Sequence, residues 1–488
     1  MGIKLENYVV RNINKYPACG FNGRAKIFTD VKTVTVDNAV DVLSNALAIH
    51  AKNAAQIDYL WRYYRGEQDI QFKKKYTREK INEKVCVNRA YQIVTFHSSF
   101  FLSEPIQYIS HGGDSDGLFE EVNQLNEYMR LAGKEGHDKE LVDWMHICGL
   151  GERLILRPEP GDDAPFSIFT ADPRKAFAIY YSGIGEEQVA GVTLGKDEKG
   201  NMQADIYTRT EHIVVVGDTA TVVSSHQYDG IPLIEYELNT ARMGVFEAAL
   251  SILNSINTME SNAADSIVDY VNGFDVFQNC DIEDGAYSEL ASGGQAVKVK
   301  TSSPGMEAKV YRIASELNQQ GVQTRINDLT DAYIEICGMP NRNGGSSTSD
   351  TGSAVLLRDG WSDAMSRASD TEKMFRKSEW IFDKVALNIC RIQGIEVPDI
   401  SKFEPKFSRN NLANLQSKVQ ALCEMLNNPK VHPKYAFQLS GLFDDAEKAY
   451  TVSDEYYRNI VAEREAELDR SLEATRQAVR SYESSETV

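Results

Sequence analysis

The chain has 488 residues, 42% hydrophobic and 25% charged, with a formal net charge of -19 from 71 acidic and 52 basic residues. This is globular composition, long enough for several domains or one elaborate subunit. The acidic balance excludes a protein that grips nucleic acid by bulk charge, since Lys and Arg supply that affinity by neutralising phosphates. It leaves room for one that surrounds DNA without holding it. The seven cysteines (Cys19, Cys86, Cys148, Cys280, Cys337, Cys390 and Cys423) are dispersed, with no CxxC. The expectation is a reducing compartment, no disulfide framework and no structural zinc. The opening "MGIKLENYVV" shows no signal-peptide pattern, and Glu6 stands where myristoylation needs Ser or Thr. No apolar run reaches about 18 residues, so no membrane span is expected.

In chain order, apolar residues recur at helical spacing from Asn38 to Tyr64, with Arg62, Arg65 and Gly66 as a C-terminal signal. A short extended piece follows, then a helix over Ala90–Leu102 and a strand over Ile106–Ser110 opened by Pro105. Two more helices are expected over Leu118–Leu131 and Lys139–Cys148. From Gly151 to Glu237 the period drops to two. Eight short strands, separated by turns such as Pro160-Gly161 and Gly217-Asp218, predict an antiparallel meander or small β domain.

Helix returns over Val245–Val271, with Phe246, Ala249, Leu250, Leu253, Ile256, Ala263, Ile267 and Val271 on one side. Phe274–Tyr311 predicts a compact insertion with three short strands. Ala314–Cys337 predicts another helix, striped by Val322, Ile326, Leu329, Tyr333 and Ile336. A long helix is expected over Ser353–Arg391, its buried side marked by Leu357, Trp361, Ala364, Ala368, Phe375, Phe382, Val385 and Ile389. A strand with turns precedes helix from Asn411 onward, and Ser484–Val488 is expected to be disordered.

Between the last two long helices lies a polar tract: Asn341, Arg342, Asn343, Gly344, Gly345, Ser346, Ser347, Thr348, Ser349, Asp350, Thr351 and Gly352. Its glycines permit backbone shapes that other residues resist. Its one cation, Arg342, is offset by Asp350. A plain surface loop and a functional collar both fit.

Catalytic and metal-binding motifs are missing. There is no GxxxxGK[ST], HExxH, GxSxG or GxGxxG, and no His pairs with Cys or carboxylate at ligand spacing. His97 beside Ser98 and Ser99 evokes a base and nucleophile, but adjacent helical residues point apart, so packing is expected. "DIEDGAYSEL" misses the EF-hand positions and reads as an acidic turn. The expectation is a non-enzyme without metal or cofactor. Lys298, Lys300, Lys309 and Arg312 sit in the compact insertion. They fit either a solvated strand face or contact with DNA phosphate or an acidic partner, with Lys298 and Lys300 on one strand face.

The ordered series "YYRGEQDI", "VNRAYQIVTFHSSFFLSEPIQYIS", "ICGLGERLILRPEPGDDAPFSIFTADPRKAFAIYYS" and "IPLIEYELNTARMGVFEAALSILNSINTMESNAADSIVDYVNGFDVF" resembles the portal proteins of tailed bacteriophages, most closely the branch of Bacillus-type siphophages. The likeness runs from about Ala48 to Asp469. The family shows "SG.AL" where this chain has Gly352-Ser353-Ala354-Val355-Leu356, and beyond Pro398 the match is one of helical pattern.

The resemblance implies an α+β, mainly helical portal-protein fold. It has a β-rich wing (1–242), two stem helices (243–272 and 314–339) around a small clip (273–313), and a tunnel loop (340–352). A long tunnel helix with a wing strand (353–410) and a helical crown (411–488) complete it. Implied function is a ring, typically of twelve subunits, at one capsid vertex, through which double-stranded DNA is packaged and ejected. Asn341 to Thr351 would line the channel, and Lys298, Lys300, Lys309 and Arg312 would contact the motor or DNA. Implied partners are further copies of the chain, non-specifically passing DNA, the terminase large subunit, head–tail adaptors, and the major capsid and scaffolding proteins, with no membrane. The place would be the virion, and the host cytoplasm during assembly. A non-portal virion ring or a minor capsid or adaptor protein is the alternative.

Overall fold

The computed structural model describes residues 23–75, 81–110, 116–271, 274–281, 300–301, 305, 307–313, 319–341, 360–409, 415–443 and 446–485. They form a mixed α+β structure in two units. The larger draws on Met1–Phe101, Ala132–Ser347 and Leu356–Gly394, the smaller on Leu102–Leu131, Thr348–Val355 and Ile395–Val488.

The larger unit is organised by α1 (Ala39–Tyr64), most of whose periodic residues are buried, with Ala51, Trp61 and Tyr64 half-buried. Its first half, Ala39 to Leu47, packs on a sheet core with Phe177, Val192, Ile206 and Ile213. Its second half, Ile57, Leu60 and Tyr63, enters a helical core with Ile93, Ile147, Phe246 and Leu253. One amphipathic helix thus joins a β layer to a helical layer. A single helical turn, Asp69–Phe72, follows it. Next come α2 (Arg89–Phe101) and α4 (Lys134–Cys148). The latter starts five residues before the expected Lys139 because Lys134 and Asp138 are buried together as an ion pair. Polar residues that look like solvated loop are core here.

All eight expected strands form: β3 (Leu150–Leu156), β4 (Ser167–Ala171), β5 (Ala176–Tyr181), β6 (Gln188–Lys196), β7 (Met202–Tyr207), β8 (Glu211–Val216), β9 (Thr219–Ser225) and β10 (Leu233–Glu237). They do not make one meander. With β1 (Ile27–Thr29), six strands run β1-β5-β6-β7-β8-β9, and a separate sheet runs β10-β3-β4. The unexpected β1 pairs parallel to β5. Burial explains the split. β9 is exposed almost throughout and ends its sheet as an edge, whereas β3 and β10 are buried nearly end to end and pair with each other.

After β10, a one-turn helix at Glu247–Ala249 leads into α5 (Leu250–Val271), so regular helix starts five residues later than expected. The first turn is held instead by the Glu247 carboxylate, which accepts the Gly244 N–H at 2.7 Å and pairs with buried Arg24. The insertion holds two ladders. β11 (Phe274–Gln278) pairs with β14 (Lys309–Ile313), and β12 (Cys280–Asp281) with β13 (Lys300–Thr301). Helix α6 (Gln319–Cys337) and the long α7 (Trp361–Ile392) follow. The expected helix from Ser353 cannot run unbroken into α7, because Gly360 has φ +78°, a left-handed turn. Residues 353–359 lie outside the described ones.

In the smaller unit β2 (Gln107–Ser110) pairs antiparallel with β15 (Phe403–Lys406). Asn126 of α3 (Asp116–Leu131) bonds both the N–H and the C=O of Tyr108 at 2.9 Å. The expected C-terminal helices are α8 (Leu415–Leu426), α9 (Pro433–Ser440) and α10 (Ala446–Ser485), gathered around Leu422, Ala436 and Phe437. Helix α10 includes Ser484 and Ser485, which the sequence placed in a disordered tail.

Within the larger unit, a charge lattice fastens α7 to α4, β3 and β10. Lys134 lies 2.7 Å from both Asp138 and Glu379, Arg153 pairs with Asp138 and with Glu379 at 3.2 Å, and the Tyr236 hydroxyl donates to Glu379 at 2.7 Å. Burial alone would raise the Glu379 pKa; Lys134 and Arg153 outweigh it and hold the carboxyl below its usual range. Replacing Glu379 by Gln leaves buried cations uncompensated. The expected loss is about 3–5 kcal/mol in urea unfolding; a loss indistinguishable from zero would show the lattice to be dispensable.

Beside it, Glu152 faces its cross-strand partner Glu235, which Arg242 clasps at 2.6 and 2.9 Å. Burial first, then the Glu235 charge, push the Glu152 carboxyl well above the carboxylate range, against the pull of Arg242. A raised folded-state pKa contributes stability that is full below the unfolded pKa of about 4.3 and lost as pH rises through the folded value. The Glu152→Gln protein should therefore gain on the parent as pH rises from 5 to ~9. A pH-independent difference would refute the neutral carboxyl.

Candidate loop root and stem

Helix α2 carries part of the stretch "VNRAYQIVTFHSSFF" and presents Phe96, His97 and Phe100 toward the two ends of the polar tract. At the exit, α6 closes with two bonds, Met339 N–H to Ile334 C=O at 2.9 Å and Gly338 N–H to Glu335 C=O at 3.1 Å. This is the Schellman pattern, with Gly338 at φ +65° in the left-handed position and Met339 tucked into the helical core. Pro340 then prevents further helix. His97 Nε2 lies 2.8 Å from the Cys337 carbonyl, which can only accept, so Nε2 carries the proton. At the return, a Cβ placed on Gly360 would lie 3.6 Å from the Met339 oxygen and 3.7 Å from Pro340 Cα. The chain therefore leaves at Asn341 and comes back at Gly360 side by side. Trp361 next rests against Phe96 and Phe100, with ring centroids 6.1 and 6.0 Å apart.

His97 and Ser98 act as packing groups. Burial takes His97 down to about 3 and His146 to about 4, so both imidazoles are neutral near pH 7. Ser98 meets His146, not His97, at 3.4 Å, and His146 Nδ1 is already committed to the Val142 carbonyl at 2.8 Å.

Helices α5 and α6 form an antiparallel hairpin, the base of which lies in the helical core through Phe246, Leu250, Leu253, Tyr333 and Cys337. At ~1.5 Å per residue, α5 is roughly 33 Å long. Farther out, Met259, Ala263, Ile267, Val322 and Ile326 line a groove of about 880 Å³. Two expected core positions are exposed: Ile267 in this groove at 47%, and Ile336 near the base of α6 at 42%. The buried face of α5 is instead polar beyond Ile256, with Asn257, Ser261 and Asp265 inward. These accept the N–H groups of Val87 (2.8 Å), Val85 (3.0 Å) and Glu83 (2.6 Å) from the extended segment before α2. Lys73 and Lys75 pair with the same Asp265 at 2.9 and 3.3 Å. Four helical residues rise ~6 Å and two extended residues ~6.6 Å, so every fourth α5 side chain meets every second strap amide.

Of the predicted channel residues, Asn341 is described, half-buried at the exit. Arg342, Asn343, Gly344, Gly345, Ser346, Ser347, Thr348, Ser349, Asp350 and Thr351 lie outside the described residues, as do Lys298 and most of "DIEDGAYSEL". Lys300 stands opposite Asp281 in one ladder. Lys309 and Arg312 stand opposite Gln278 and Asp275 in the other, and Lys309 pairs with Glu307 at 3.3 Å. The three described cations thus divide between separate strand pairs. Sequence reasoning missed the grip of α2 on the root. Its legible signals were Gly338-Met339-Pro340 as a helix stop and Gly360 before Trp361, which the periodicity counts merely as core.

A family model described as phage portal protein, SPP1 Gp6-like, matches residues 43–480. The chain belongs to that phage portal protein family. The match spans α1 through most of α10, so both units fall within the portal family. A search of curated proteins finds no match. Among solved structures, the neck of an empty gene transfer agent particle computed with C6 symmetry is 13% identical, with 72% of this chain and 90% of that chain covered and a TM-score of 0.42. The virion of the native gene transfer agent particle gives 12%, 79%, 93% and 0.43. The native particle neck computed with C12 symmetry gives 11%, 72%, 89% and 0.42. Among the described residues no helix is long and apolar enough to cross a membrane.

A Cβ on Gly338 would fall 2.0 Å from Arg367 Nε, at a left-handed φ. Gly338→Ala should therefore cost about 1–2 kcal/mol or more by urea unfolding. Unchanged stability would rule out the left-handed helix stop at the loop root.

Proposed function

We propose that the chain is the subunit of a ring at one capsid vertex, around an axial channel through which double-stranded DNA is packaged and later ejected. The family match over residues 43–480 carries this reading. Residues 1–242 would be the wing, 243–272 and 314–339 the stem, 273–313 the clip, 353–410 the tunnel helix with its wing strand, and 411–488 the crown. The tract 340–352 would be the tunnel loop, a collar around the passing duplex. Two things support the loop assignment: its flanks return to one point, and its composition offers hydrogen-bonding groups with no net positive hold. Duplex DNA carries one charge per ~1.7 Å, so a basic collar would bind it tightly, whereas translocation needs weak, replaceable contacts.

No Walker motif occurs in the chain, so the motor would be a separate protein, the terminase large subunit, docking at the clip. Lys298, Lys300, Lys309 and Arg312 are the proposed contacts there. Head–tail adaptors would take the same end later, and the capsid and scaffolding proteins would surround the wing during assembly in the host cytoplasm.

Negative-stain images of the purified protein should show rings with an open centre and a wide flange. A monomer at every salt concentration would overturn the proposal. Deleting Asn343–Ser349 should leave rings intact and impair DNA packaging or retention; rings lost on deletion would overturn the loop assignment.

A further inference from the structure

We infer that three amide side chains, Asn257, Gln68 and Asn88, position the root of the tunnel loop from the stem. Asn257 is fully buried on α5. Its Oδ1 accepts the Val87 N–H at 2.8 Å and its Nδ2 donates to Gln68 Oε1 at 2.5 Å. Gln68 Nε2 donates at 3.0 Å both to the Tyr63 carbonyl and to Asn88 Oδ1. Asn88 in turn accepts the Tyr91 N–H at 3.2 Å, capping α2, and donates to the Tyr64 carbonyl at 2.8 Å. Each amide therefore uses both its oxygen and its nitrogen, and the chain of bonds runs from the middle of a stem helix to the first turn of α2.

Helix α2 is also the element that grips both ends of the loop, His97 on Cys337 and Phe96 with Phe100 on Trp361. Two further α5 residues, Ser261 and Asp265, hold the strap leading into α2 through its backbone amides. Because these bonds go to main chain, a shift of α5 along its axis moves the strap as a body. No regular ladder competes for these amides in residues 81–88. The stem thus sets where α2 begins, and α2 sets where the loop leaves and returns. The inference rests on the portal reading for its function, but the coupling itself is a property of one chain.

The test is hydrogen exchange on full-length Asn257→Ala. Amides at the root, Met339 and Ala364, should exchange roughly tenfold faster or more, while those of β6 and β7 keep the parent rate. Faster exchange confined to residues 83–88, or a uniform rise across the protein, would overturn the inference, since either means that Asn257 stabilises without positioning. Should Asn257→Ala not fold, Gln68→Met breaks the same relay at similar length and is read by the same amides. The measurement needs neither ring nor DNA. Its failure leaves the portal reading standing, and coupled exchange in a chain that forms no ring would refute that reading alone.

Discussion

A buried polar group left without a partner costs about 1–3 kcal/mol, and a buried charge more. This chain places such groups at its junctions, so its architecture depends on satisfying them together. Lys134, Asp138, Arg153, Glu379 and Tyr236 draw α4, β3, β10 and α7 to one point. Arg24 and Glu247 close the entry to α5. Asn257, Gln68 and Asn88 join α5 to α1 and α2. Apolar faces would tolerate small slides between these elements. Bonded lattices with defined donors and acceptors permit one register.

That requirement explains which parts of the fold were legible. The α1 stripe and the eight short strands rest on apolar periodicity, which a sequence displays directly. The sheet split was hidden because it depends on pairing partners: β10 returns to β3, and β9 is left as an edge. The outer half of α5 misled for a related reason. Ile267 was expected on the buried side, yet the side carrying Asn257, Ser261 and Asp265 is the buried one because a strap of backbone lies against it. Periodicity locates a face that differs; it does not tell whether water or a main chain covers the polar one.

The candidate site shows the same division. The tract's polarity and its place between two long helices were plain in the sequence, and its flanks fit a loop. The closure of those flanks was not, since it is made by Gly360 turning left-handed and by aromatic contacts from residues more than two hundred positions away. Gly360 sits inside an apolar pattern that continues helical spacing on both sides, so the period concealed the break.

On the proposed collar reading, low charge and a fixed root belong together. A collar that held DNA through its own cations would be positioned by that grip, and translocation would stall on it. On the proposed reading, a tract made mostly of Asn, Gly, Ser and Thr, with Arg342 offset by Asp350, would have no such anchor, so its position would have to be supplied from behind. Closing the loop at one point lowers the entropy its ends would otherwise retain. Fixing that point by one helix, itself capped and joined to α5 through amide side chains, would let the proposed weak contacts at the front coexist with a defined position at the back.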